Sequence, residues 1–121
     1  MGRLSTHILD TVRGKPAADV AIDLDRLEPD GSWRRIKQVR TNADGRTDQP
    51  VLAGDDLASG TYMLTFHMGA YFKAHGLAAD DPLFLDLIPL RFAVADASAH
   101  YHVPLLATPW SYSTYRGSGH R

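Results

Sequence analysis

His100-Tyr101-His102 places two imidazoles one residue apart. On a β-strand, such residues point to the same side, one dipeptide repeat from each other. Paired this way they can relay a proton, share a metal ion, or stand in solvent as plain polar positions. A zinc site would need a third ligand, and His7 near the start of the chain is the candidate. His7 shares a strand face with Ser5 and Leu9, where a lone histidine is ordinarily just tolerated. Arg46 follows Asp44-Gly45, so a tight turn would present it at the mouth of the next strand. Its guanidinium suits planar, two-pronged acceptors such as carboxylates and the amide-like edges of oxidised purines. A solvated turn arginine is the plainer alternative. Near the end stands Tyr115-Arg116-Gly117-Ser118, with no Gly-x-Ser-x-Gly elbow around it. Ser118 is therefore not expected to form an acyl-enzyme, though it could position a water or a histidine.

Strands must position these groups. Val20, Ile22 and Leu24 alternate with Ala21, Asp23 and Asp25, which predicts a half-buried strand. Tyr62, Leu64, Phe66 and Met68 make a second apolar face, and Ile88, Leu90, Phe92 and Val94 a third. Tyr101, Val103 and Leu105 make a fourth, leaving His100 and His102 on the opposite side. Trp33 to Arg40 alternates less cleanly, as a polar edge strand would. Pro29-Asp30-Gly31-Ser32 and Asn42-Ala43-Asp44-Gly45 are turn signals. One short helix is expected over Ala70 to His75, closed by Gly76. Short strands, regular turns and a single brief helix predict an all-β antiparallel sandwich. The expected domain spans residues 1–118, with Gly119-His120-Arg121 as a flexible tail.

Composition narrows the chemistry. The chain has 121 residues, 44% of them hydrophobic, enough for one self-sufficient core. It contains no cysteine, which excludes disulfides, thiolate catalysis and cysteine-bound zinc. Thirteen basic and fourteen acidic side chains give a net charge of −1, so no broad field favours nucleic acid or an anionic membrane. Leu83 to Leu90 is the longest apolar stretch, broken by Asp86 and too short to cross a bilayer. Gly2 and Thr6 fit a loose myristoylation pattern, set aside because they run straight into the first strand. A cytoplasmic protein is expected.

Taken in order along the chain, these segments resemble a known family. Thr6-His7-Ile8-Leu9-Asp10, Gly14-Lys15-Pro16-Ala17 and Thr41-Asn42-Ala43-Asp44-Gly45-Arg46 are similar to the first half of the 5-hydroxyisourate hydrolases, a transthyretin-related family. His100-Tyr101-His102-Val103-Pro104-Leu105-Leu106 and Tyr112 to Ser118 resemble the second half. The closing Tyr-Arg-Gly-Ser is the most specific element, because it separates these hydrolases from transthyretins.

The resemblance implies a transthyretin-like sandwich of two four-stranded sheets with one short helix. It implies a homotetramer, a dimer of dimers, with active sites at the dimer–dimer interface. The implied reaction opens a ring amide of 5-hydroxyisourate with water, giving 2-oxo-4-hydroxy-4-carboxy-5-ureidoimidazoline in urate catabolism, with no metal and no organic cofactor. His7 and His102 match the family's active-site histidines, Arg46 its substrate clamp, Ser118 its closing serine and Tyr115 a substrate contact. His100 matches a neighbouring histidine of less defined role. On this reading His102 is the base, assisted by His7 and Ser118. Two departures stand out: the chain continues past Ser118, and Ala107 to Trp110 differ from the usual Leu-Ser-Pro-Tyr. The rivals are a non-enzymatic carrier of the transthyretin type and a zinc hydrolase built on His7, His100 and His102.

Overall fold

The computed structural model describes residues 1–117. Alternation in the opening segment produces β1, Arg3–Asp10, with Leu4, Thr6, Ile8 and Asp10 turned inward. Arg3, Ser5, His7 and Leu9 stay half-exposed on the other face. The remaining strands are β2 (Lys15–Pro16), β3 (Ala21–Leu27), β4 (Trp33–Arg40), β5 (Leu52–Ala53), β6 (Gly60–His67), β7 (Leu87–Val94), β8 (His100–Ala107) and β9 (Tyr112–Thr114). They form two layers. The first runs β2-β1-β8-β9, with the two-residue β5 joined to β1 beyond that path; the second runs β4-β3-β6-β7. The expected all-β sandwich is therefore present, with β5 as a small addition.

The inward sides of the two sheets meet in one core. Leu4, Ile8, Leu24, Leu64, Phe66 and Leu105 are all fully buried there. Each such side chain stabilises the fold by roughly 1.5–3 kcal/mol relative to exposure. The ragged segment over Trp33–Arg40 is an edge strand, as its polarity predicts.

Three local differences from the sequence reading have physical causes. β1 and β8 pair in parallel, in a sandwich otherwise built of antiparallel ladders. A parallel pair needs a long connection, and these strands lie at opposite ends of the chain. Asp23 and Asp25, expected on an open face, are buried. Long side chains fold over them: Arg35 Nε donates to Asp25 at 2.6 Å, Gln38 Nε2 to Asp23 Oδ1 at 2.7 Å, and His67 Nε2 meets Asp23 Oδ2 at 2.8 Å. The α-helix, α1, spans Met68–Ala74, so Met68 ends the β6 run by opening the helix. Gly76 caps it with φ 66°.

Helix α1 is tied to the end of β1. The Tyr71 hydroxyl donates to Asp10 Oδ2 at 2.7 Å, and Asp10 Oδ1 accepts the backbone N–H groups of Val12 and Arg13. Burial, with the hydrogen bond to Asp10 and its negative charge, pushes the Tyr71 phenol up to about 12. Tyr71→Phe removes a donor from a fully buried carboxylate, so it should cost about 2 kcal/mol of stability. Urea unfolding checks this, and a variant as stable as the parent would show the bond to be dispensable.

Candidate active site

The parallel ladder of β1 and β8 assembles the site. Its register sets Arg3 opposite His100, Ser5 opposite His102 and His7 opposite Pro104. Because side chains alternate, Ser5, His7 and His102 share the outer face of the sheet. Ser5 Oγ lies 2.8 Å from His102 Nδ1, although the two residues are 97 positions apart.

Arg46 arrives by a turn that its own neighbours specify. Asn42 Oδ1 accepts the N–H groups of Asp44 and Arg46 at 2.9 and 3.3 Å, and Asn42 N donates to the Arg46 carbonyl at 2.7 Å. Gly45 holds φ 74°, and a Cβ there would stand 2.5 Å from the Ile8 carbonyl oxygen. Only glycine fits both the conformation and the contact. Ile8 N donates to the Gly45 carbonyl at 2.9 Å, and an antiparallel bridge places Arg46 beside His7. A second bridge joins His102 to Gly117, whose N–H donates to the His102 carbonyl at 2.8 Å.

This arrangement disfavours the charged form of both imidazoles. Partial burial pulls the His7 pKa below its ordinary value and the Arg46 charge pulls further, against opposition from the Asp44 backbone and carboxylate. Burial lowers His102 as well, followed by Arg46 and by His7. A neutral imidazole has a free lone pair and can take a proton from water. Arg3, Ser5, Thr6 and Arg46, with the segment from Thr47 to Pro50, line an adjacent groove of about 220 Å³.

Of the residues singled out from sequence, His7, Arg46 and His102 converge. His100 lies beside them on β8, half-buried, with Nδ1 enclosed and lacking a hydrogen-bond partner among the described residues. Tyr115 is 61% exposed and lines a different cleft, between the sheets, with Phe92, Tyr101 and Val103. Arg116 anchors that end of the chain, its guanidinium 4.3 Å from the centre of the Tyr101 ring. Ser118 and the tail 119–121 lie outside the described residues. The zinc alternative finds no ligand set, since no three His, Cys, Asp or Glu side chains among the described residues converge as metal ligands. Ser5 is the member that the sequence reading passed over. Alternation placed it beside His7, but nothing local pointed to His102.

Strand order and site together define a transthyretin-type sandwich whose outer sheet face carries two imidazoles and a guanidinium. Sea bream transthyretin in complex with thyroxine superposes with a TM-score of 0.86 at 28% identity, over 95% of this chain and 94% of that one. The 5-hydroxyisourate hydrolase of Klebsiella pneumoniae superposes with a TM-score of 0.80 at 36% identity, over 98% of this chain and all of that one. The chain belongs to the HIUase/Transthyretin family, whose model matches residues 4–117. Among its relatives, 5-hydroxyisourate hydrolase 2 of Rhizobium meliloti is 56% identical over 97% of both chains.

Proposed function

We propose that this chain hydrolyses 5-hydroxyisourate to 2-oxo-4-hydroxy-4-carboxy-5-ureidoimidazoline, and that His7, Arg46 and His102 carry the reaction. The observation behind the assignment is the convergence of two histidines, their pKa values lowered by burial and by the Arg46 charge, beside that arginine in a chain 56% identical to a 5-hydroxyisourate hydrolase. His102 Nε2 takes a proton from water as the water oxygen attacks the ring carbonyl. Negative charge then develops on that carbonyl oxygen, and the Arg46 guanidinium donates hydrogen bonds to it. Collapse breaks the C–N bond, the ring nitrogen receives the proton from His102, and the attacked carbon stays on the five-membered ring as a carboxyl group, which loses its remaining proton to solvent. His7 stands against Arg46, where it orients the guanidinium and the substrate. No residue has to become covalently attached, in keeping with the lack of a nucleophile elbow.

The carrier alternative draws on the likeness to a thyroxine-bound transthyretin. Freshly generated 5-hydroxyisourate separates the two readings. Its ultraviolet signal should decay far faster with the protein than in buffer, and equally fast after exhaustive chelation. Identical decay with and without protein would overturn the hydrolase, and loss of turnover on chelation that zinc restores would overturn the imidazole mechanism.

The same reading makes the active species a tetramer, because His7, Ser5 and Arg3 sit half-exposed on a sheet face that a second such face would enclose. Light scattering should return four times the chain mass at assay concentrations. An active monomer would contradict it.

A further inference from the structure

We propose that Ser5 is the positioning residue for His102: its hydroxyl accepts the Nδ1–H of the imidazole and so leaves Nε2 as the basic nitrogen. The inference rests on the reading of His102 as the base, and it adds how that base is held.

Three observations carry it. The Ser5 Oγ to Nδ1 distance is 2.8 Å, within hydrogen-bond range. The two residues are direct partners in the β1–β8 ladder, so both backbones are fixed by their strands rather than by loops. The far side of the ring is closed by Gly117, where a Cβ would stand 2.6 Å from His102 Cδ2 and 3.2 Å from His102 Cβ. The imidazole is thus held on one edge by a hydroxyl and against the other by a backbone with no side chain. Ring rotation is restricted from both sides.

The direction of the hydrogen bond follows from the reaction. If Ser5 donated to Nδ1, the neutral ring would carry its proton on Nε2 and offer no lone pair to water. If Ser5 accepts from Nδ1–H, Nε2 is free in the neutral ring. The same bond persists after Nε2 takes a proton, because the imidazolium donates from both nitrogens. Acceptance by Ser5 is the one arrangement that holds throughout the cycle. An aspartate here would orient the ring equally well but would favour its charged form. A neutral hydroxyl orients the base without that effect, which suits a histidine that must begin each cycle uncharged beside Arg46.

Ring-nitrogen NMR of the wild-type protein with isotopically labelled histidine tests the tautomer, with the His102 signals assigned by their loss in His102→Asn. Nδ1 should be protonated and Nε2 unprotonated above the imidazole titration; the reverse pattern overturns the proposal. Ser5→Ala should redistribute the proton between the nitrogens and lower kcat about tenfold, the scale of one hydrogen bond, with KM within about twofold. Ser5→Thr, which restores the hydroxyl, should return kcat to within about threefold. Wild-type turnover in Ser5→Ala, or an equal loss in both variants, would sink the assignment. Should Ser5→Ala fail to fold, the wild-type tautomer and Ser5→Thr still decide. If the wild-type protein fails to hydrolyse 5-hydroxyisourate, the functional reading falls while the tautomer measurement still judges Ser5.

Discussion

His102→Asn should lower kcat by about a hundredfold or more while leaving the fold intact, the usual scale for loss of a general base. Asparagine is the informative replacement because its amide reaches about as far as imidazole Nδ1. It keeps a partner for Ser5, 2.8 Å away in the parent, and leaves the strand bond from Gly117 N to the carbonyl of residue 102 undisturbed. What disappears is the outer end of the ring, Nε2 with Cε1. Steady-state rates on 5-hydroxyisourate, with thermal melts alongside, separate chemistry from folding. Full activity in a stable variant would mean that another group, His7 first among them, removes the proton. A matching loss in His7→Asn with no further loss in the double variant would instead show the two histidines acting as one unit.

Removing the Arg46 guanidinium should have two effects that separate cleanly. Arg46→Met should lower kcat/KM by about a hundredfold or more, since a charge-stabilising donor at a developing oxyanion is worth that much. It should also move the acid limb of the pH–rate profile. The base must be neutral, so activity is lost as pH falls through the His102 pKa, which burial, Arg46 and His7 hold below the ordinary histidine value. Without the Arg46 charge that pKa rises, and the acid limb shifts toward higher pH. The shift is partial, because burial, the largest cause, remains. Arg46→Lys keeps the charge but not the two-pronged grip, so its limb should stay while its plateau falls. An unmoved limb in Arg46→Met would refute the coupling between these groups, and wild-type rates in Arg46→Lys would refute the bidentate clamp.

The Arg46 turn was legible in the sequence because everything that builds it is local. Asn42, Gly45 and Arg46 lie within one loop, and the side-chain acceptor and the positive φ are properties of those residue types. The apolar faces of β3, β6, β7 and β8 were legible for the same reason, since alternation within a strand reports which side is buried. That signal fails for Asp23 and Asp25. Their burial depends on Arg35, Gln38 and His67 reaching across from neighbouring strands, which no within-strand pattern records.

By itself, then, the sequence determined the longer strands, the inner faces of β3, β6, β7 and β8, the turn that presents Arg46, and the resemblance that names His7, Arg46 and His102 together. Tertiary structure alone decided which strands are neighbours and in which direction they run. A period of two fixes the face of a side chain, but it is silent on the partner strand and its register. The parallel pairing of β1 with β8 sets Ser5 against His102 across 97 positions, and the Gly117 bridge closes the other side of that ring. The same packing turns Tyr115 toward the cleft between the sheets and away from the groove beside Arg46. Contacts between the two ends of a chain leave no mark on either end alone, so the pairing of Ser5 with His102 became visible only when the sheet was complete.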